Sequence, residues 1–382
     1  MSSPFRYKPF RRFSYSVASF TAVRQILQLT VFWLLASILP AYLYGIVIGV
    51  RPLILIGLSP IGGYISDKYG RVKPTIISRL ISSVLLIPLM YAFIARNIAL
   101  IILVYFIRAF FQDLSNSLSV VLNYAVLPND AREKAMFYLY VISSSFDATT
   151  VLIWPFLFNL INVYILFLAA IGYAVSSILL IGINVPYAKR NVSISTGYKL
   201  FKKNNAAKAM ILGLSIDQGA INMVLQFMAL IVTLFHGTTL DYSLGYEAYT
   251  LTTILGSYIM TRFHNPTGIL VTNIVLKFSI FPLFLLHNPL IIIYQGFAIA
   301  FADSLISNLY YVALRSASGD EYLGSIIGFD EFVANLSRSS TGFVAGFLYA
   351  ISSLDIMTLG LGIMAVSTIM YFRYKELREL KL

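Results

Sequence analysis

The 382-residue sequence has no cysteine, three histidines and few charges, which make up 12% of the chain. The missing cysteine excludes disulfides and thiolate metal sites. The histidines, His236, His264 and His287, stand singly in predicted loops, so a histidine metal centre lacks a donor set. No GxxxxGK[ST] stretch is present, which removes the expected phosphate cradle of an ATP-driven machine. No paired His, Cys or Ser arrangement supplies the catalytic group of a membrane enzyme. Acidic residues are scarce too: 16 against 28 basic ones, a formal net charge of +12.

Apolar character fills the space that charge leaves. Hydrophobic residues are 58% of the chain, with 26 Tyr and 28 Phe, and the mean hydropathy is +0.80. Apolar stretches able to cross a hydrocarbon core of roughly 30 Å recur from Ser16 to Phe372. The first is not followed by a small-residue cleavage site, so a removable signal peptide is not expected. The pattern predicts an all-α integral membrane protein with twelve transmembrane helices. They cover about 16–40, 46–66, 74–94, 98–122, 134–158, 162–184, 209–234, 243–262, 267–286, 289–313, 323–350 and 354–373. The tails are 1–15 and 375–382, and a polar, basic linker over 187–208 separates six-helix bundles at 16–186 and 209–374.

Lysine and arginine decide the orientation. The tails and the loops after even-numbered helices hold 21 of them, whereas the loops after odd-numbered helices hold only Arg51 and Arg96. Both termini are therefore expected in the cytoplasm of a multi-pass cell-membrane protein. The positive charge then needs no nucleic-acid partner, although the basic linker suits anionic lipid headgroups. The halves also resemble each other. A shift of 194 positions superposes GGYISDKYGRV on GSYIMTRFHNP, and a shift of 190 superposes Asp113 on Asp303 and Asp130 on Asp320. Two pseudo-symmetric, parallel repeats are the expected arrangement.

The stretch GGYISDKYGR joins the second and third predicted helices. Its Gly63, Asp67, Lys68, Gly70 and Arg71 resemble the signature of the major facilitator superfamily, with the last basic position displaced to Lys73. Gly70 suits a tight turn, and the basic residues hold this end in the cytoplasm. Asp67 repels the negative end of its own helix and wants a cation. The resemblance implies that Asp67 meets the start of the eleventh helix and latches the cytoplasmic side. Arg108 lies where many family members carry an arginine in the fourth helix, but Gln112 is one residue late and Asp113 replaces a glycine. The Gly-Pro-rich motif of family antiporters is absent from the fifth helix, where SSSFDATTVLIWP stands instead.

Measured at 1.5 Å per residue from each predicted helix start, Arg24, Arg108, Asp217 and Glu331 lie roughly 12 to 15 Å deep. Charges there should face water or each other. Polar stripes follow: Arg24, Gln25 and Gln28 on the first helix; Arg108, Gln112, Asn116 and their neighbours on the fourth; Gln218, Asn222 and Gln226 on the seventh; Ser304, Ser307, Asn308 and Tyr311 on the tenth. The resemblance implies that these four helices line a central cavity. Arg24, Gln28, Arg108, Gln112, Asn116, Asp217, Asn222, Gln226 and Asn308 are the expected solute contacts. Asp217 and Glu331 are the expected proton carriers, with Arg24 or Arg108 as the cation near Asp217. Arg79 and Lys277 are expected to be structural and to snorkel toward an interface.

The whole reads as a monomeric secondary active transporter of a small polar or charged solute, working by alternating access with a coupling proton. It needs neither cofactor nor metal. A transporter-like receptor that binds without translocating and a membrane-embedded enzyme are the alternatives.

Overall fold

The computed structural model describes residues 4–70, 72–125, 132–183, 194–259, 265–319 and 322–380. They form α1 (Lys8–Ile38), α2 (Ala41–Tyr69), α3 (Val72–Ile94), α4 (Ile98–Ala125), α5 (Arg132–Ile161), α6 (Ile165–Ile178), α7 (Ile194–Lys203), α8 (Asn205–Leu225), α9 (Met228–Leu234), α10 (Thr239–Ile259), α11 (Pro266–Ser279), α12 (Ile291–Ser318), α13 (Leu323–Tyr349), α14 (Ser353–Phe372) and α15 (Lys375–Arg378). No strand occurs among the described residues. Eight stretches are long and apolar enough to cross a membrane, one of them, Ala135–Ile178, taking in both α5 and α6. The bent pair of α8 and α9 is a ninth. The other two spans, α10 and α13, are long enough but diluted by Asp241 and Glu247, and by Asp330, Glu331 and Arg338. Twelve membrane spans result.

Local chemistry sets many of the ends. The Asn204 side chain accepts from the Ala207 N–H at 2.9 Å and starts α8, and Asn265 does the same for α11 ahead of Pro266. Gly70, at φ 73°, makes the turn after α2 that its place in the sequence suggests, and nothing crowds it. Gly63, Asp67, Lys68 and Arg71 lie outside the described side chains, so the latch expected of Asp67 does too. Two expected helices are broken: the seventh bends by 41° between α8 and α9, and the ninth ends in a 3-10 turn over Pro282–Leu286.

The helices gather into two compact units, Met1–Ile38 with Ile54–Lys189, and Leu39–Leu53 with Arg190–Leu382. In the first, α1 packs on α5 and α6, and α3 on α4 and α6. Trp154 of α5 donates to Thr30 Oγ1 of α1 at 2.9 Å, and Ser83 of α3 to the Ala170 carbonyl of α6 at 2.6 Å. In the second, α8 packs on α13 and α14, α10 on α12, and α11 on α12. The first half of α2 belongs with this unit. A Cβ on Gly346 of α13 would collide with the backbone of Gly45, and one on Gly342 with that of Gly49. Small residues let helix backbones touch in this way. Tyr44 Oη donates to the Gln226 carbonyl at 2.9 Å, and Ser339 Oγ to that of Gly49 at 2.7 Å.

The stretch expected as a polar linker contains α7. Its Gly197 lies so close to the Ser325 carbonyl that no side chain fits. The Phe201 ring packs 5.1 Å from that of Phe329 in α13, tilted by 46°, and Leu200 joins the same cluster. The basic residues masked this helix: Lys199, Lys202 and Lys203 lie on or beyond its polar side, and Gly197, Leu200 and Phe201 recur at helical spacing.

Candidate functional site

Each unit buries a basic side chain from its third helix, and the two are held differently. In the first unit Arg79 of α3 is 1% exposed. Its Nε donates to Ser115 Oγ (3.2 Å), Nη1 to Ser16 Oγ (3.0 Å) and Nη2 to Ser119 Oγ (3.1 Å). The Cζ lies 3.9 Å from the ring centre of Phe20. The guanidinium is thus wrapped by three hydroxyls of α1 and α4 and one aromatic face, all neutral. Tyr173 of α6, fully buried, stands in the same charged neighbourhood, together with Arg24, Arg108 and Asp113.

In the second unit Lys277 of α11, likewise on the third membrane span of its unit, is fully buried. Its Nζ donates to Asp217 Oδ2 of α8 at 2.9 Å and to Asp303 Oδ1 of α12 at 2.6 Å. Asn273 Nδ2 (3.3 Å) and Tyr371 Oη of α14 (3.0 Å) donate to the same Oδ2 of Asp217. The Asp217 side chain has no exposed surface, whereas that of Asp303 is 38% exposed. Two carboxylates thus share one ammonium. Arg79 and Lys277 do not snorkel as expected: both ends of the side chain are inside, because polar partners from two neighbouring helices converge on each. The cation beside Asp217 is Lys277, not Arg24 or Arg108.

The remaining predicted residues separate into smaller sets. Arg24 of α1 pairs with Asp147 Oδ2 of α5 at 3.7 Å. Arg108 and Gln112, both buried on α4, are joined by a hydrogen bond of 2.5 Å from Nη1 to Oε1. Gln28 and Asn116 are half-buried on α1 and α4. On α8 the face beside Asp217 turns to α13: Gln218 Oε1 accepts from Arg338 Nη2, and Asn222 Nδ2 donates to the Arg338 carbonyl at 3.0 Å. Arg338 also reaches Asn335 Oδ1 at 3.1 Å and the exposed Glu331 at 3.5 Å. Gln226 sits at the bend after α8, and Asn308 is half-buried on α12. Asp217 therefore parts from the stripe of Gln218 and Asn222, and a solute has no surface of it to touch in this conformation.

Sequence reasoning missed three further groups. Glu247 of α10 is 5% exposed, with neither carboxylate oxygen hydrogen-bonded. A carboxylate inside a predicted span was the available signal. Asn273 and Tyr371 complete the Lys277 cluster, and only their register on α11 and α14 brings them in. Among the described residues no three metal-ligating side chains come together.

The model of the Major Facilitator Superfamily matches residues 14–342, and the chain belongs to that family. It is a multi-pass membrane transporter. Among solved structures it is similar to the nucleoside transporter NupG, at 15% identity over 97% of this chain and 100% of that one, with a TM-score of 0.76 for a mutant form. It is also similar to a bacterial homologue of the human lysosomal transporter Spinster in an inward-facing, occupied conformation. That likeness is 13% identity over 99% of both chains, at a TM-score of 0.67. At such identities the likeness speaks for the fold alone. No curated protein sequence matches the chain.

Proposed function

We propose that the protein is a secondary active transporter that moves a small polar or charged solute across the cell membrane by alternating access, coupled to protons. Both termini lie in the cytoplasm, the monomer is the working unit, and the basic linker rests against lipid headgroups. The observation that carries this reading is the pair of Arg108 and Gln112, buried within a membrane span of a transporter-family chain. A guanidinium at membrane depth is costly to keep, and its planar donors suit a carboxylate or a similar acceptor. Arg24, Gln28 and Asn116 of the same unit, and Asn222, Gln226 and Asn308 of the other, are the further solute contacts. Asp217 acts through its charge and not by touch, and Asp217 and Glu331 are the candidate proton carriers. Asp67, with Gly63, Lys68, Gly70 and Arg71, serves as the cytoplasmic latch.

The test is uptake into proteoliposomes, with and without an inward proton gradient, for solutes first selected by thermal shift. NupG makes nucleosides a reasonable part of that panel. Accumulation that collapses with the gradient supports the reading. Binding without uptake or counterflow for any selected solute favours the receptor alternative.

A further inference from the structure

The Lys277 cluster has one feature that a plain salt bridge lacks. All three donors, from Lys277, Asn273 and Tyr371, converge on Oδ2 of Asp217, and Oδ1 of the same carboxylate has no partner. Oδ1 of Asn273 is also without a donor. Both residues are 0% exposed. Two acceptor oxygens thus lie buried and unsatisfied on side chains already joined to each other at 3.3 Å. A buried acceptor left bare costs about 1–3 kcal/mol, so one shared donor between them removes two penalties. Charge gives the same count: with one ammonium between two carboxylates, the cluster is one positive charge short of neutrality.

We propose that this cluster is a binding site for one proton, carried on Oδ1 of Asp217 and donated in a hydrogen bond to Oδ1 of Asn273. Binding takes the proton from water and converts the Asp217 carboxylate to a carboxylic acid. Lys277 stays an ammonium throughout and keeps its 2.6 Å contact with Asp303. Release returns the proton to water, and the vacated charge is again held by Lys277. Asp303, the one exposed member, is the side from which the proton enters. The groups that face the site are Lys277 from α11, Asp303 from α12, Tyr371 from α14, Tyr249 of α10 beside Asp303, and Asp330 of α13 toward Tyr371. Arg79 is the control that the fold itself supplies: in the first unit the buried cation of the third span is held by serine hydroxyls, which bind no proton. The inference rests on the proton-coupled reading above and chooses Asp217 over Glu331 within it.

The experiment is infrared spectroscopy of the full chain in potassium-buffered lipid membranes, titrated from alkaline to acid pH and followed at the carbonyl stretch of a protonated carboxyl. One buried band that survives Glu331→Gln, is lost in Asp217→Asn and shifts in Asn273→Leu is the expected result. A melting curve for each variant shows that it folds, and Asp303→Asn provides a second variant should Asn273→Leu not fold. In Asp303→Asn the band persists but responds more slowly to a pH jump. A band that persists in Asp217→Asn overturns the proposal. So does a band abolished by exchanging potassium for sodium at constant pH, because the missing charge is then a metal cation. If the band behaves as expected while solute uptake ignores the proton gradient, the site stands and the coupled-transport reading falls.

Discussion

Arg79→Met and Lys277→Met each remove a buried positive charge from the third membrane span of a unit, and they should cost very different amounts. Arg79 gains three hydrogen bonds of the charge-assisted kind, at about 1.5–3 kcal/mol each, and a cation–π contact, against several kcal/mol for stripping water from the ion. These nearly cancel. The hydroxyls left behind can turn to backbone carbonyls, as Ser16 of α1 already does by donating to the Ser176 carbonyl of α6 at 2.7 Å. Arg79→Met should therefore change stability by less than about 2 kcal/mol. Lys277→Met strands Asp217, a carboxylate with no exposed surface. Breaking a buried pair from one side costs about 3–5 kcal/mol. The double variant Lys277→Met with Asp217→Asn should recover most of that, an interaction energy of about 2 kcal/mol or more in a double-mutant cycle. Acid should rescue the single variant, because protonation of Asp217 removes the stranded charge. Reversible unfolding in mixed micelles at neutral pH gives all four numbers. Equal losses for Arg79→Met and Lys277→Met, or no rescue by Asp217→Asn, would refute the contrast between a neutral and a charged setting.

Four other outcomes are expected. Arg108→Lys keeps the charge but loses the planar fork, and should weaken solute binding roughly tenfold, the equivalent of one charge-assisted hydrogen bond. Asn116→Ala should do less, and equal affinities by calorimetry would make Arg108 structural. Cysteines placed at Asn97, Leu240 and Asn288 should react with an impermeant thiol reagent on intact cells, and those at Lys203 and Lys375 only after permeabilisation; the reverse pattern would invert the topology. Gly197→Val should destabilise the fold by about 1–3 kcal/mol through collision of α7 with the Ser325 carbonyl, read as a lower melting temperature. The exposed Glu376 accepts from Asn205 at 2.9 Å, which holds its carboxyl below the usual range. Its small contribution should be present above the ordinary carboxylate range and fade as pH falls through the lowered value; a Glu376 titration unchanged in Asn205→Ala would remove the cause.

Helix number, the short connections and the turn at Gly70 were legible because hydropathy and glycine act locally. The amphipathic α7 was not, because five basic residues between Lys189 and Lys203 make a polar average that hides Gly197, Leu200 and Phe201. Height along each helix can be reckoned at 1.5 Å per residue. Direction around the helix was harder. Asp217 and Gln218 are neighbours in sequence but about 100° apart around α8, so one turns to Lys277 and the other to Arg338. A stripe at spacings of three and four includes Gln218, Asn222 and Gln226 and says nothing of the adjacent aspartate. Similarly, Arg79 and Lys277 read as snorkelling residues because the sequence does not say which partners converge on them.

The repeat itself carries the last step. Tyr173 and Tyr371 stand 198 positions apart, as do Arg79 and Lys277, and in both units the pair is buried around one basic group. A buried cation on the third span is thus common to both units, and in the first unit hydroxyls and an aromatic ring hold it. Asp303 has a counterpart in Asp113 of the first unit, so the carboxylate of Asp217 is the one that exceeds what the structural duty requires. An ionisable group with no exposed surface in a membrane span is expensive, so a chain that keeps more of them than its twin unit needs has a reason outside stability. The same comparison applied to Arg108 gives the converse: a shift of 190, 194 or 198 positions places it against Ala298, Ala302 or Ile306, so the first unit alone carries that guanidinium. Charge that differs between matching places in a duplicated fold separates function from scaffold. The roles proposed above follow that division, with the proton in the second unit and the grip on the solute in the first.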